Sequence, residues 1–229
     1  LCWISNKGAI MTKYFEILKE MPLFHGIIEN DIPAMLKCLN AHTTGYAKDD
    51  YIKTCGDPAN FIGIVLDGEI QILQDDYDGR RTITASFERG AMFAEAFSCA
   101  GIPELPVDIM ASENNTIMFL NSSRIFRSCG GDCGFHHVLI QNLLQIVARK
   151  NMFLNQKLQY MSHKTTKEKV MAYLNDQAKT NHSDTFVIPF NRQELADYLG
   201  VERSALSVEI SKLQKQGYLE TNRSYFKLL

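Results

Sequence analysis

The residues of this 229-residue chain best suited to chemistry on another molecule are Arg203, Ser204, Ser207, Val208, Ser211 and Lys212, all within RQELADYLGVERSALSVEISKLQ. At 100° per residue they fall on one helical face, opposite an apolar stripe of Leu206, Ile210 and Leu213. That face has a cation at its leading edge, hydroxyls along its length and no acid, with Glu209 on its border. The chemistry it offers is hydrogen bonding to base edges and phosphates, and Val208 can touch a thymine methyl.

Such a face needs a second helix to hold it, and the preceding residues supply one. Asn191 followed by Glu194 is a capping-box pattern that starts a helix at Arg192. Leu195, Ala196 and Leu199 form its inner side, small Ala196 allows a close crossing, and Gly200 makes the turn. The second helix starts less firmly, with Glu202 where Ser or Thr is usual. After it, Gly217-Tyr218-Leu219 and Tyr225-Phe226-Lys227 alternate like a hairpin around an Asn222-Arg223 tip. A hairpin there is a wing, and it carries Arg223 to the phosphate backbone or minor groove. Taken alone, the face fits equally well an ordinary solvated helix pair, and Arg223 a solvated turn charge.

The charge balance is mild. The chain has net charge −2; residues 164–229 hold 10 Lys/Arg against 8 Asp/Glu, and residues 1–163 hold 14 against 18. A slightly basic module behind an acidic one is compatible with nucleic acid, but does not demand it. No apolar run approaches the roughly 18 residues of a spanning helix, and the beginning of the chain lacks the pattern of a secretory signal, so no membrane association and a cytoplasmic location are expected. Six irregularly spaced cysteines in a chain of this size imply reduced thiols rather than a disulfide scaffold. Met11-Thr12-Lys13 looks like a natural start, so no function is assigned to residues 1–10.

From Thr43 to about Phe119, short runs of Ile, Val, Phe and Tyr alternate with turn signals such as Asp67-Gly68 and Asp78-Gly79. The pattern predicts one hairpin from Phe61–Leu66 and Glu69–Leu73 through Asp67-Gly68, a second through Asp78-Gly79 into Thr82–Phe87, and overall a small barrel or roll. Phe135 to about Met161 then runs without Pro or Gly. Ile140, Leu144, Val147, Asn151, Leu154, Leu158 and Met161 recur at alternating spacings of four and three, a heptad seam suited to a second subunit. A second stripe of Leu139, Leu143, Ile146 and Phe153 is expected to face the roll.

Roll, seam helix and winged helix-turn-helix in this order resemble the cyclic-AMP receptor and FNR (Crp/Fnr) family of bacterial transcription regulators. FIGIVLDGEIQIL, GAMFAEAF and the helix-turn-helix carry the resemblance, which covers Tyr14 to Leu229. It implies an α+β chain with a β-roll like the cyclic-nucleotide-binding jelly roll (11–134), a long dimerisation helix (135–162) and a winged helix-turn-helix (163–229). It also implies a non-enzymatic homodimer on a two-fold symmetric DNA site, working with RNA polymerase under control of a small effector or redox signal in the roll. Arg203, Ser204, Ser207 and Val208 correspond to the family's base-reading positions, and Lys212 and Arg223 join them as DNA contacts. Where the family often has a basic residue, this chain has Val208.

The departures concern the signal. Glu95 matches the ribose-contacting acid of cyclic-nucleotide binders, with Ala94 in place of the usual Gly, so these two residues mark a candidate effector pocket, or simply a structural turn. The phosphate-holding Arg-Ser pair is replaced by Leu105-Pro106, which would cost an anionic phosphate its charge-assisted bonds. Cyclic AMP is therefore not expected. Nor is an N-terminal iron-sulfur cluster, since Cys2 is the sole thiol there. Cys129 and Cys133, followed by His136 and His137, form a candidate metal or redox cluster, or simply a tight loop before the helix. The rival classes are a small β-barrel metal-dependent enzyme and a ligand-binding regulatory module with a helical C-terminal domain. The first lacks clustered ligands, as residues 11–134 contain only His25 and His42.

Overall fold

The computed structural model describes residues 14–75, 78, 80–126 and 134–229, and these fall into two units that meet between Ala148 and Arg149. In the first unit, helix α1 (residues 14–20) and α2 (Ile32–Cys38) precede eight strands: β1 His42–Tyr46, β2 Tyr51–Lys53, β3 Phe61–Asp67, β4 Glu69–Asp75, β5 Arg81–Glu88, β6 Met92–Phe93, β7 Asp108–Ala111 and β8 Asn115–Asn121. The short helices α3 (Glu95–Cys99) and α4 (Ser122–Phe126) are inserted after β6 and β8, and α5 (Phe135–Ser162) runs on into the second unit.

The strands form two antiparallel four-stranded sheets, ordered β1-β8-β3-β6 and β2-β7-β4-β5. This corrects one sequence expectation. FIGIVLDGEIQIL is not a hairpin: β3 pairs with β8 and β6, while β4 pairs with β5 and β7, so Asp67-Gly68 is a corner where the chain crosses from one sheet to the other. The reason lies in burial. Phe61, Val65, Ile117 and Phe119 face Ile70, Ile72 and Ile109 of the opposite sheet. Ile62, Ile64, Leu66, Met118 and Leu120 on the reverse face pack against Leu18, Met35 and Leu36, and against Leu139 and Leu143 of α5. A strand covered on both faces reads as an unbroken apolar run, and that run cannot tell its reader which strand lies beside it. Gly68 makes the corner at φ +78°, and a Cβ there would lie 2.5 Å from the Asn114 carbonyl oxygen. The second predicted hairpin is present, with β4 and β5 paired from Glu69↔Glu88 to Asp75↔Arg81.

In the second unit, α5 is followed by α6 (Thr166–Asn181), β9 (Thr185–Val187), α7 (Arg192–Leu199), α8 (Arg203–Lys215), β10 (Leu219–Asn222) and β11 (Tyr225–Leu228). The strands form one sheet, β10-β11-β9, in which β9 is an addition to the two strands expected from sequence. Its core joins Val170, Tyr173 and Leu174 of α6 to Leu195, Leu199, Leu206, Ile210, Leu213 and Phe226. Phe153 lies in this unit too, half exposed at the edge of that core with its ring 5.7 Å from that of Tyr198. The expectation that it would face the roll is therefore corrected. Leu139, Leu143 and Ile146 do pack on the first unit's core.

Candidate nucleic-acid interface

The helix pair is built as its sequence requires. Asn191 accepts from the backbone N–H groups of Gln193 and Glu194 at 2.8 and 3.0 Å, and the Glu194 carboxylate accepts from the Asn191 N–H at 2.7 Å, closing the capping box. Gly200 ends α7 in the left-handed region. Lys169 of α6 also holds that turn, donating from Nζ to the Leu199 and Gly200 carbonyl oxygens at 3.3 Å each. A cation is the natural partner for the last carbonyls of a helix. Thirty-odd residues separate Lys169 from this turn, so no local pattern announces it.

Leu206, Ile210 and Leu213 of α8 are buried against α6 and α7, which leaves Arg203, Ser204, Ser207, Val208, Ser211 and Lys212 facing water. Val208 is 68% exposed, an apolar side chain left uncovered within a polar face. The hydroxyl hydrogens of two serines are already engaged: Ser207 donates to the Arg203 carbonyl and Ser211 to the Ser207 carbonyl, both at 2.9 Å. Lys212, itself exposed, lies 3.9 Å from the largely buried Glu209 carboxylate in an i,i+3 pair.

The wing is present with its tip one residue later than expected. Asn222 pairs with Tyr225, so the turn consists of Arg223-Ser224, and Arg223 adopts φ +52°. Arg192 braces the hairpin from α7: Nη2 donates to Thr221 Oγ1 at 3.2 Å and the guanidinium lies 5.0 Å from the Phe226 ring centre. Half-burial lowers its pKa from the ordinary arginine value by desolvation, and the group remains a cation at neutral pH. Arg192 reads in the sequence only as the first residue of a helix; its role in the wing depends on the fold.

In the first unit, Ala94 occupies the left-handed region at φ +61°, which explains why glycine suits this position, and Glu95 is 4% exposed. Leu105 is 1% exposed and packs in the roll's inner cluster with Phe93 and Ala94. Its backbone is tied on both sides, N–H to the Asp57 carbonyl at 2.8 Å and C=O to the Gly56 N–H at 2.9 Å. Cys129 and Cys133 lie outside the described residues. Of their expected companions His136 is buried, 3.8 Å from Cys38 Sγ, and His137 is exposed. Among the described residues no group of three or more His, Cys, Asp or Glu side chains is arranged to hold a metal ion, and no helix is long and apolar enough to cross a membrane.

Two family models match in tandem: the cyclic nucleotide-binding domain over residues 43–130, and the Crp-like helix-turn-helix domain over residues 168–229. The chain belongs to the Crp/Fnr family. Among solved structures, this Crp/Fnr chain is similar to the catabolite activator protein of Thermus thermophilus, with a TM-score of 0.51 and 20% identity over 91% of this chain and 93% of that one. The sensor domain of the transcriptional regulator DNR from Pseudomonas aeruginosa aligns with a TM-score of 0.52 and 16% identity, covering 68% of this chain and 97% of that one. At these identities the likeness is one of fold. No curated protein sequence matches the chain. As a Crp/Fnr chain it is a DNA-binding transcription regulator with a roll of the cyclic-nucleotide-binding type.

Proposed function

We propose that the protein is a homodimer that reads a two-fold symmetric DNA site through α8 and the wing, under control of a signal other than a cyclic nucleotide. The observation that carries the reading is the acid-free face of α8, with Arg203, Ser204, Ser207 and Val208 exposed over a fully buried apolar stripe. In this reading those four side chains meet base edges, while Lys212 and the wing-tip Arg223 meet phosphates. Half-sites then lie about one helical turn apart, roughly 34 Å. The seam of α5 supports the dimer: Ile140, Leu144, Leu154, Leu158 and Met161 are all exposed in the single chain, up to 68% at Leu144. The functional division proposed is a sensing roll over 11–134, a dimerisation helix over 135–162 and a DNA-binding domain over 163–229. RNA polymerase is the proposed partner at the promoter, and the cytoplasm the proposed location.

Leu105 argues against cyclic AMP, since the position that would supply a cation to the phosphate is filled by a leucine packed into the roll's core. A mobility-shift assay on the DNA upstream of the protein's own gene tests the DNA reading. Arg203→Ala should lower discrimination between specific and random DNA by the equivalent of about 1–3 kcal/mol. Unchanged sequence preference in that variant removes Arg203 from the base contacts.

A further inference from the structure

We infer that the first unit carries a site for a zinc-class divalent cation, held by Cys38 at the end of α2 and His136 at the start of α5. The two residues are 98 positions apart in sequence, and the fold puts Cys38 Sγ 3.8 Å from His136 Nε2. With bonds of about 2.3 Å to sulfur and about 2.0–2.1 Å to nitrogen, two ligands of one tetrahedral zinc lie roughly 3.6 Å apart. The pair is therefore already close to the spacing that one shared ion requires. In the metal-free chain the same contact is a weak thiol–imidazole hydrogen bond.

Both ligands stand on elements that share one core. Met35 and Leu36 of α2 and Leu139 and Leu143 of α5 are buried in the same apolar cluster, so neither ligand has to be brought in by a moving loop. Cys38 is half-buried and forms no disulfide, which leaves its thiol open to an ion from solvent. His136 is only 8% exposed, and binding through Nε2 leaves its other ring nitrogen to carry the proton.

A thiolate on the last residue of a helix faces the negative end of the helix dipole. Two cations offset this: Arg124 donates from Nη1 to the Cys38 carbonyl oxygen at 3.1 Å, and Lys37 sits in the same last turn. The donor set then selects the ion, since one thiolate and one imidazole suit zinc and its borderline-soft neighbours, whereas magnesium and calcium require oxygen. Two positions of the tetrahedron remain for further ligands.

An ion here ties α2 to the root of α5, and its effect on DNA binding rests on the reading of α5 as the dimerisation helix. Cobalt(II) titration of the reduced, chelator-stripped full chain tests the site, read by tetrahedral d–d bands and sulfur-to-cobalt charge transfer, with zinc then displacing the cobalt. One equivalent should bind per chain. Cys38→Ser and His136→Gln should each weaken binding by more than about ten-fold, the least that loss of even an outer-shell partner costs. Replacing the exposed thiols in Cys55→Ser with Cys99→Ser should leave it unchanged. Zinc should raise the melting temperature of the wild type but not of Cys38→Ser, and the two should melt alike without metal, since Cys38 belongs to no buried cluster. A tetrahedral spectrum that is absent, that survives Cys38→Ser, or that depends on Cys129 and Cys133 in place of Cys38 overturns the site. Cys38-dependent binding that leaves DNA affinity unmoved at saturating zinc establishes the site and overturns its control of DNA alone.

Discussion

In the proposed complex Ser207 would meet DNA as an acceptor. Its hydroxyl hydrogen is bonded to the Arg203 carbonyl one turn back, so without rearrangement it offers only lone pairs, which match the amino groups of adenine N6 or cytosine N4. Arg203 and Lys212 are donors, and the face is thus divided by chemistry as well as by position. The wing tip makes a sharper case. Arg223 holds φ +52°, where an L residue with a Cβ pays roughly 1–2 kcal/mol that glycine does not. Arg223→Gly should therefore raise stability, by about 1 kcal/mol in thermal or denaturant unfolding, while weakening DNA binding and lowering the salt slope by about one for each protomer. A variant that loses both stability and affinity would show Arg223 to be a structural residue and not a phosphate contact.

Among the elements, those whose cause is local were legible in advance. The Asn191-Glu194 box, the turn at Gly200 and the stripe of Leu206, Ile210 and Leu213 all appear where the sequence places them, because each depends on residues within one or two turns. Asn191→Ala should cost about 1 kcal/mol of stability, read from the midpoint of chemical denaturation, whereas Glu202→Ala should cost little because Glu202 makes no side-chain cap bond. The FIGIVLDGEIQIL segment shows where local reading stops. Its turn is legible, but strand pairing depends on residues far along the chain: Gly63 lies beside Phe119 and Phe93, and Ile72 beside Ile109. The wing is likewise legible, its tip displaced by one residue because Asn222 is the last paired position. The partner strand β9 is not legible, since three residues around Phe186 carry too little periodicity to stand out.

For the whole molecule the proposed dimer rests on the exposed seam of α5. Leu154→Glu combined with Leu158→Glu places charge on exposed seam positions and should leave each unit folded, since neither side chain belongs to a buried core. Sedimentation should then give a monomer at micromolar concentration, and affinity for a two-fold site should fall by roughly 100-fold or more as the second half-site contact ceases to be intramolecular. A stable dimer in that variant would move the dimer interface elsewhere. The amino-acid sequence by itself determined the caps, the turn at Gly200, the long helix α5 and the polar face of α8, since torsional preference and amphipathic period are properties of neighbouring residues. Only the tertiary structure decided that Asp67-Gly68 joins two sheets, that Phe153 packs on Tyr198, that Arg192 and Lys169 brace the helix pair and the wing, and that Lys53 lies over the Phe61 ring. Those arrangements bring together residues tens of positions apart, and they follow from which apolar faces can be buried against one another at once.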